Sequence, residues 1–408
     1  MKQNVLKKEY CLLALLVGFF WHDLASAQRP IASFFYDEQG YIIRQERDTN
    51  GDGKMDMWIY YDKEGKMERV EKDENFDGKP DISLFYEEGK LKRQEVSSKR
   101  DGRIDAWYFF NARGEIERKE QDTNGDGKAD IWLIYQSNQL VLSEEDRNFD
   151  GRVDRVVHFQ EGKMSRVEED TNGDGKMDSF SYFQNGQLTK KEIDRKHNGK
   201  IDLWGYYQDG RLVRQEEDLN GDGKLDRILY FQDDQLVRRE EDSRAKGRID
   251  LIESFDQGKL AKRLIDNRGN GKFDSLYIFK DSKIVREERD TDSDGFFDLR
   301  IFYENEQVVR HEADTNGDRR VDVWVTFKDG QKVMQEEDSN YNGKIDARYY
   351  FKDGQVVRQE PVAEVEPKWP ALLFLSVQEE LINVSAVIPP RQGKEEKMIV
   401  PLPTTILR

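Results

Sequence analysis

Beyond residue 27 this 408-residue chain has no cysteine; the single one, Cys11, lies in an N-terminal apolar run. Disulfides are therefore excluded, and whatever staples the fold must be something else. Histidine is scarce, with only His158, His197 and His311 after residue 27. No nucleophile–base constellation stands out, which argues against an enzyme. Proline is sparse until Pro361, and seven of the nine fall from there onward. No apolar run is long enough to span a bilayer. Hydrophobic residues make up 36% of the chain, little for a thick core, yet aromatics reach 11%. A thin, aromatic-rich layered structure is expected.

Residues 1–27 read as a secretory signal peptide. Lys2, Lys7 and Lys8 give a basic start, "CLLALLVGFFW" follows, and "ASA" at 25–27 precedes a cut after Ala27. This predicts a secreted or periplasmic protein, in some settings held at the cell surface, with no integral membrane segment after cleavage. Residues 28–408 carry 63 basic and 81 acidic side chains, a net charge of -18. That balance argues against nucleic acid as a partner and suits cations.

What the chain has in abundance is repetition. "DTNGDGKMD" occurs at 48–56 and again at 170–178. Looser copies begin at Asp48, Asp73, Ser97, Asp122, Asp146, Asp170, Asp194, Asp218, Asp242, Asp266, Asp290, Asp314 and Asp338, always 24 or 25 residues apart. Such a period marks a repeat protein. Between the loops, "DLWGYYQDGRLVRQEED" at 202–218 reads as two strand-sized runs around a Gly-bearing turn, a β-hairpin. With "IASFFYDEQGYIIRQERD" as the first, there are fourteen hairpins, or 28 strands. The reading gives a β-hairpin repeat domain over 28–360 with thirteen acidic loops. A Pro-rich tail or cap follows at 361–408, where "ALLFLSV" at 371–377 can add a strand or cover a sheet edge.

Five residues after each loop's last Asp stands an aromatic, such as Tyr61, Tyr207 and Phe351; Trp58, Trp107, Trp132, Trp204 and Trp324 lie three earlier, on the opposite strand face. The second strand opens with an aliphatic such as Leu212, then places Arg214 and Glu216 about 7 Å apart, all three on one face by simple alternation. The basic residue recurs in twelve hairpins, with Leu142 and Met334 the exceptions, and the Glu in thirteen, failing only at Leu264. This ladder neutralises charge and lays Arg stems over aromatics.

In the full loops, acidic or amide side chains occupy positions 1, 3, 5 and 9, with Gly at 6. Hard oxygens in that alternation suit calcium. The candidate ligands are Asp48, Asn50, Asp52 and Asp56; Asp73, Asn75, Asp77 and Asp81; Asp122, Asn124, Asp126 and Asp130; and Asp146, Asn148, Asp150 and Asp154. Further along they are Asp170, Asn172, Asp174 and Asp178; Asp218, Asn220, Asp222 and Asp226; Asp290, Asp292, Asp294 and Asp298; and Asp314, Asn316, Asp318 and Asp322. Arg319 replaces the loop glycine in the last set, which argues against its sharp turn, and Asn342 makes the Asp338 loop borderline. Position 3 is basic in four others, at Lys99, Lys196, Arg244 and Arg268, which predicts a built-in cation closing its own loop without metal.

None of the eight full loops, nor the Asp338 loop, has the Glu at position 12 of an EF-hand. They resemble the shorter calcium loops of thrombospondin type 3 and dockerin-like repeats. "W-x-Y-Y-x-x-G-x-L" at 204–212 resembles the MORN-variant hairpin repeats of bacterial antitoxin-type proteins, over about residues 31–360. That resemblance implies meandering β-hairpins. Two architectures fit: an elongated, twisted all-β meander, about 130 Å long at 4.8 Å per strand, or a seven-bladed β-propeller. The meander explains the equal units more simply, because "RLVRQEED" is a poor strand for burial on both faces. The expected function is a secreted calcium-binding β-repeat scaffold mediating binding or adhesion to a protein, glycan or envelope partner. The alternatives are a structural spacer, an antitoxin-like immunity protein, and a calcium-dependent propeller lyase or glycosidase.

Overall fold

The computed structural model describes residues 32–368 together with Ser376 and Glu380. Residues 1–27, expected to be a signal peptide, and most of the tail lie outside the described residues. All 28 elements described are β-strands, from Ala32–Tyr36 to Gln355–Val365, and each pairs antiparallel with its neighbours in sequence. The last strand runs past Glu360 to Val365, with Pro361 opposite Ala347. Contacts divide the chain into two units, Met1–Leu140 and Val141–Arg408. In each, pairing continues without a break well past four strands. Four-stranded propeller blades require such breaks, so the fold is the open hairpin meander.

The turns explain the hairpins and the uneven period. In the hairpin Leu203–Gln208 and Arg211–Glu217, Gln208 pairs with Arg211 around Asp209 and Gly210, whose φ angles are 51° and 79°. Two left-handed residues make a type I′ turn, whose twist matches that of the strands. In the second and fourth hairpins the turn is one residue longer, closing from Asp62 to Lys66 and from Asn111 to Glu115. That residue accounts for both 25-residue steps.

A bulge sits at one place in thirteen of the hairpins. Tyr206 pairs with Arg214 but Tyr207 pairs with Leu212, leaving Val213 as the extra residue. The Tyr207–Leu212 cross-strand pair is as expected. The face of Leu212 is not. A Cβ on Gly205 would lie 3.2 Å from the Tyr207 ring and 3.4 Å from Leu212, so these three share one face. Arg214 and Glu216 lie on the other, with Trp204 and Tyr206.

That second face carries the charge ladder. Arg214 pairs with Glu216, and Arg238 with Glu240 at 2.7 Å. Guanidinium groups lie over rings: Arg69 is 4.1 Å from Tyr60 and Arg310 is 3.9 Å from Phe302. The Tyr182 hydroxyl donates to Glu192 (2.8 Å) and that of Tyr206 to Glu216 (3.1 Å). Burial, with the neighbouring carboxylate, pushes both phenols up to about 12. The most buried apolar residues are mainly aliphatic, such as the cross-strand pairs Ile59–Val70 and Val157–Val167. The tryptophans and tyrosines largely flank this thin core, half-buried; Trp324 is an exception.

Candidate metal loops

The backbone sets the loops in register. Within a loop, the position-9 N–H donates to the carbonyl just before position 1, as Asp56 does to Arg47 (2.9 Å). The next loop's first residue then donates to the position-9 carbonyl, as Asp73 does to Asp56 (2.9 Å). The strand ladder thus runs on through positions 1 and 9 and stops at the loop body.

The carboxylates divide into two classes. At position 1, Asp48 accepts the Gly51 and Gly53 N–H groups at 2.6 and 2.8 Å. Asp122 and Asp218 do the same with their own glycines. At position 9, Asp130 accepts the Thr123 N–H (2.8 Å), the Thr123 hydroxyl (2.9 Å) and the Asn124 N–H (3.3 Å). These side chains are mostly buried; Asp170, Asp298 and Asp314 are half-buried. The loops with a basic position 3 use the same bonds: Asp194 accepts from Gly199 (2.6 Å) and Asp266 from Gly269 and Gly271 (2.6 and 2.7 Å). Asp at positions 1 and 9 is therefore a structural acceptor in both kinds of loop, and only positions 3 and 5 separate them.

Positions 3 and 5 point outward. Asn50, Asp52, Asn124, Asp126, Asn148, Asp150, Asn172, Asp174, Asn220, Asp222, Asp292, Asp294, Asn316 and Asp318 are exposed, as is Asp77, while Asn75 is half-buried. Asp52 and its counterparts each accept one N–H from position 7, here Lys54 at 2.8 Å. The position-3 amide varies. Asn50 and Asn172 donate to position 5, at 3.1 and 3.3 Å. Asn148 and Asn220 turn instead to Asp154 and Asp226, at 3.0 and 2.9 Å. Asn75 reaches the Arg100 carbonyl of the following loop (2.7 Å).

The strongest convergence of carboxylates is in the Asp290 loop. Asp290, Asp292 and Asp294 bring one oxygen each within 4.8 Å of one another. Burial raises the Asp290 carboxyl above its ordinary value; the Ser293 and Gly295 amides oppose this, and Asp294 and Asp292 add to it. In the Asp194 loop, where Lys196 stands at position 3, and in the full Asp170 loop alike, burial is outweighed by four amides and the position-1 carboxyl is lowered. The hard, mutually repelling oxygens of the Asp290 loop fit a calcium ion. Asp290, Asp292 and Asp294 would hold it in their loop, supplying charge neutralisation.

Two expectations change. Arg319, in place of glycine, does not disrupt its turn. It takes φ 72° and its N–H donates to Asp314 Oδ2 (2.6 Å), the bond a glycine makes elsewhere. And the basic side chains at position 3 mostly do not serve their own loops. Lys196 donates to the Leu219 carbonyl (2.7 Å). Arg244 donates to the Asp266 and Asn267 carbonyls (2.6 and 3.1 Å), and Arg268 to those of Asp290 and Thr291 (3.1 and 2.9 Å). Each is a clamp onto the next loop; Arg244 alone also lies 3.6 Å from an acid of its own loop, Asp250. The long side chains span the spacing between adjacent strands, which a loop read in isolation hides.

No family model matches the chain, and no curated protein does. Among solved structures, accessory secretory protein 1, 2 and 3 of Streptococcus pneumoniae aligns at 16% identity over 39% of this chain and 21% of that one, with TM-score 0.17. TcdB2–TccC3–Cdc42 and TcdB2–TccC3 align at 10% and 11% identity over 78% of this chain and 24% of theirs, with TM-score 0.15. The chain spans about a fifth to a quarter of the length of the structures it matches.

Proposed function

We propose that the chain is a secreted or periplasmic calcium-binding β-repeat scaffold that engages a protein or glycan partner. The observation that carries the calcium reading is the convergence of Asp290, Asp292 and Asp294 on a loop whose backbone already closes without metal. The pre-closed loop lowers the ordering cost of binding, and the outward oxygens at positions 3 and 5 supply the hard ligands. The ion then acts as a second fastening, added to the Asp clips at positions 1 and 9. The signal-like N-terminus supports a setting outside the cytosol. The ladder of arginines, glutamates and tyrosines offers the binding face, since Arg and Tyr are enriched where proteins bind.

Calorimetric calcium titration of residues 28–408, with thermal melts in calcium and in chelator, tests the reading. About eight sites, one per complete acidic loop, and a higher melting temperature in calcium are expected. No heat of binding and unchanged melts would overturn it.

A further inference from the structure

One repeat breaks the charge ladder. In the hairpin Leu251–Asp256 and Lys259–Ile265, Lys262 keeps the basic position but Leu264 stands where the other thirteen second strands carry Glu. Leu264 is flanked across the strands by Ile252 and Leu276, so an unbroken apolar row replaces the usual alternation with carboxylate. Phe297, at position 8 of the Asp290 loop, joins this cluster.

The row is sealed. Leu264 and Leu276 are 1% and 0% exposed and Phe297 is 0% exposed, whereas the matching Trp204 and Glu192 of an earlier repeat are half-buried. That is deeper than the 4–8% at the matching Glu216, Ile228, Glu288, Arg300, Glu312 and Trp324, so something more lies over this row. Two described residues from the C-terminal region show what. Ser376 forms an antiparallel bridge with Phe296. Glu380, buried at 7% exposure, pairs with Lys262 Nζ at 2.9 Å. Lys262 is thus given a carboxylate in place of the one Leu264 removed from its own strand.

We propose that the C-terminal segment 371–380 docks on this face, across the strands Lys259–Ile265 and Ser275–Lys280 and against the Asp290 loop. Its sequence suits the site: "ALLFLSV" matches the apolar row, and Glu380 matches Lys262. The missing glutamate at Leu264 is the address that selects this repeat among fourteen. Elsewhere a docked apolar segment would bury a ladder carboxylate, which is costly. The tail covers a face of the sheet, not its edge.

The absence of cysteine after residue 27 makes the test direct. In the full chain, Phe296→Cys with Ser376→Cys should form an intrachain disulfide on mild oxidation, found by mass spectrometry of the digest. Asp233→Cys with Ser376→Cys, placing one thiol at a hairpin turn of the same unit, should not. Adding Lys262→Glu to the first pair should slow crosslinking about fivefold, and adding Glu380→Lys as well should restore it. Equal crosslinking in both pairs, disulfides only between chains, or no rescue by the charge swap would overturn the proposal.

Discussion

If Asp at position 9 is a structural acceptor and Asp at position 5 a metal ligand, two substitutions in one loop must behave differently. Asp130 accepts two backbone amides and a hydroxyl and is 3% exposed. Asp130→Ala strands both amides inside the loop. A buried donor left unpaired costs about 1–3 kcal/mol, so roughly 2–6 kcal/mol of local stability is lost for the two. Asp126 is exposed and accepts one amide, from Lys128 (2.8 Å), which water can replace. Asp126→Ala should cost no more than about 0.5 kcal/mol without metal. Contacts in a repeat array are made with neighbours, so local opening reports this better than a global melt. Hydrogen exchange in chelator should quicken at Thr123 and Asn124 by about 30-fold or more in Asp130→Ala, and about twofold in Asp126→Ala. Calorimetry should show Asp126→Ala losing one calcium site. Equal exchange in the two variants would refute the division of roles, as would unchanged exchange in Asp130→Ala.

Lys196→Met removes the clamp on the Leu219 carbonyl and should cost about 1 kcal/mol, read as faster exchange in the Asp218 loop and not in the Asp194 loop. Gly210→Ala places a Cβ at φ 79° in a type I′ turn and should cost about 1–2 kcal/mol, read as earlier chemical unfolding of that hairpin. The phenols of Tyr182, Tyr206 and Tyr303 are raised to about 12, so the folded state holds their protons more tightly than the unfolded chain. The stability they contribute is complete below pH 10 and lost as pH rises through about 12; ultraviolet titration should show these three among the late-ionising tyrosines, which also include Tyr60, Tyr86, Tyr135 and Tyr277, alongside alkaline melting in that window.

The hairpins were legible because strand alternation and Gly-bearing turns are local signals, the first written in all fourteen hairpins and the second in ten. The bulge was not. One extra residue reverses the face of everything beyond it, so counting by twos from Leu212 put it beside Arg214. A second aromatic column held the clue: Tyr60, Phe85, Phe109, Tyr182, Tyr206 and Tyr230, four residues after the last Asp, each face an arginine or lysine. The loops were legible as oxygen clusters. Which oxygens build the loop and which stay outward was also present in the sequence, since Asp persists at position 9 in all four loops where position 3 turns basic, and at position 1 in three of them. The reach of Arg244 and Arg268 was hidden, because it joins residues more than twenty apart that only strand pairing brings together. Lys262 and Glu380, 118 positions apart, gave no local signal beyond the lost glutamate at Leu264.

The fixed register also bears on how such a chain changes length. The two copies of "DTNGDGKMD" begin 122 residues apart, five repeats including both lengthened turns. A gene-level crossover between them would delete five whole units and join Asp56 directly to Ser179. Met57 and Ser179 open equivalent strands, so every hydrogen-bond partner would meet a partner of the same kind. The reciprocal product would gain five units on the same terms. Identical loops make the number of hairpins a quantity that inheritance can adjust in whole steps, while the single Leu264 row keeps one fixed landmark for the tail in the second unit.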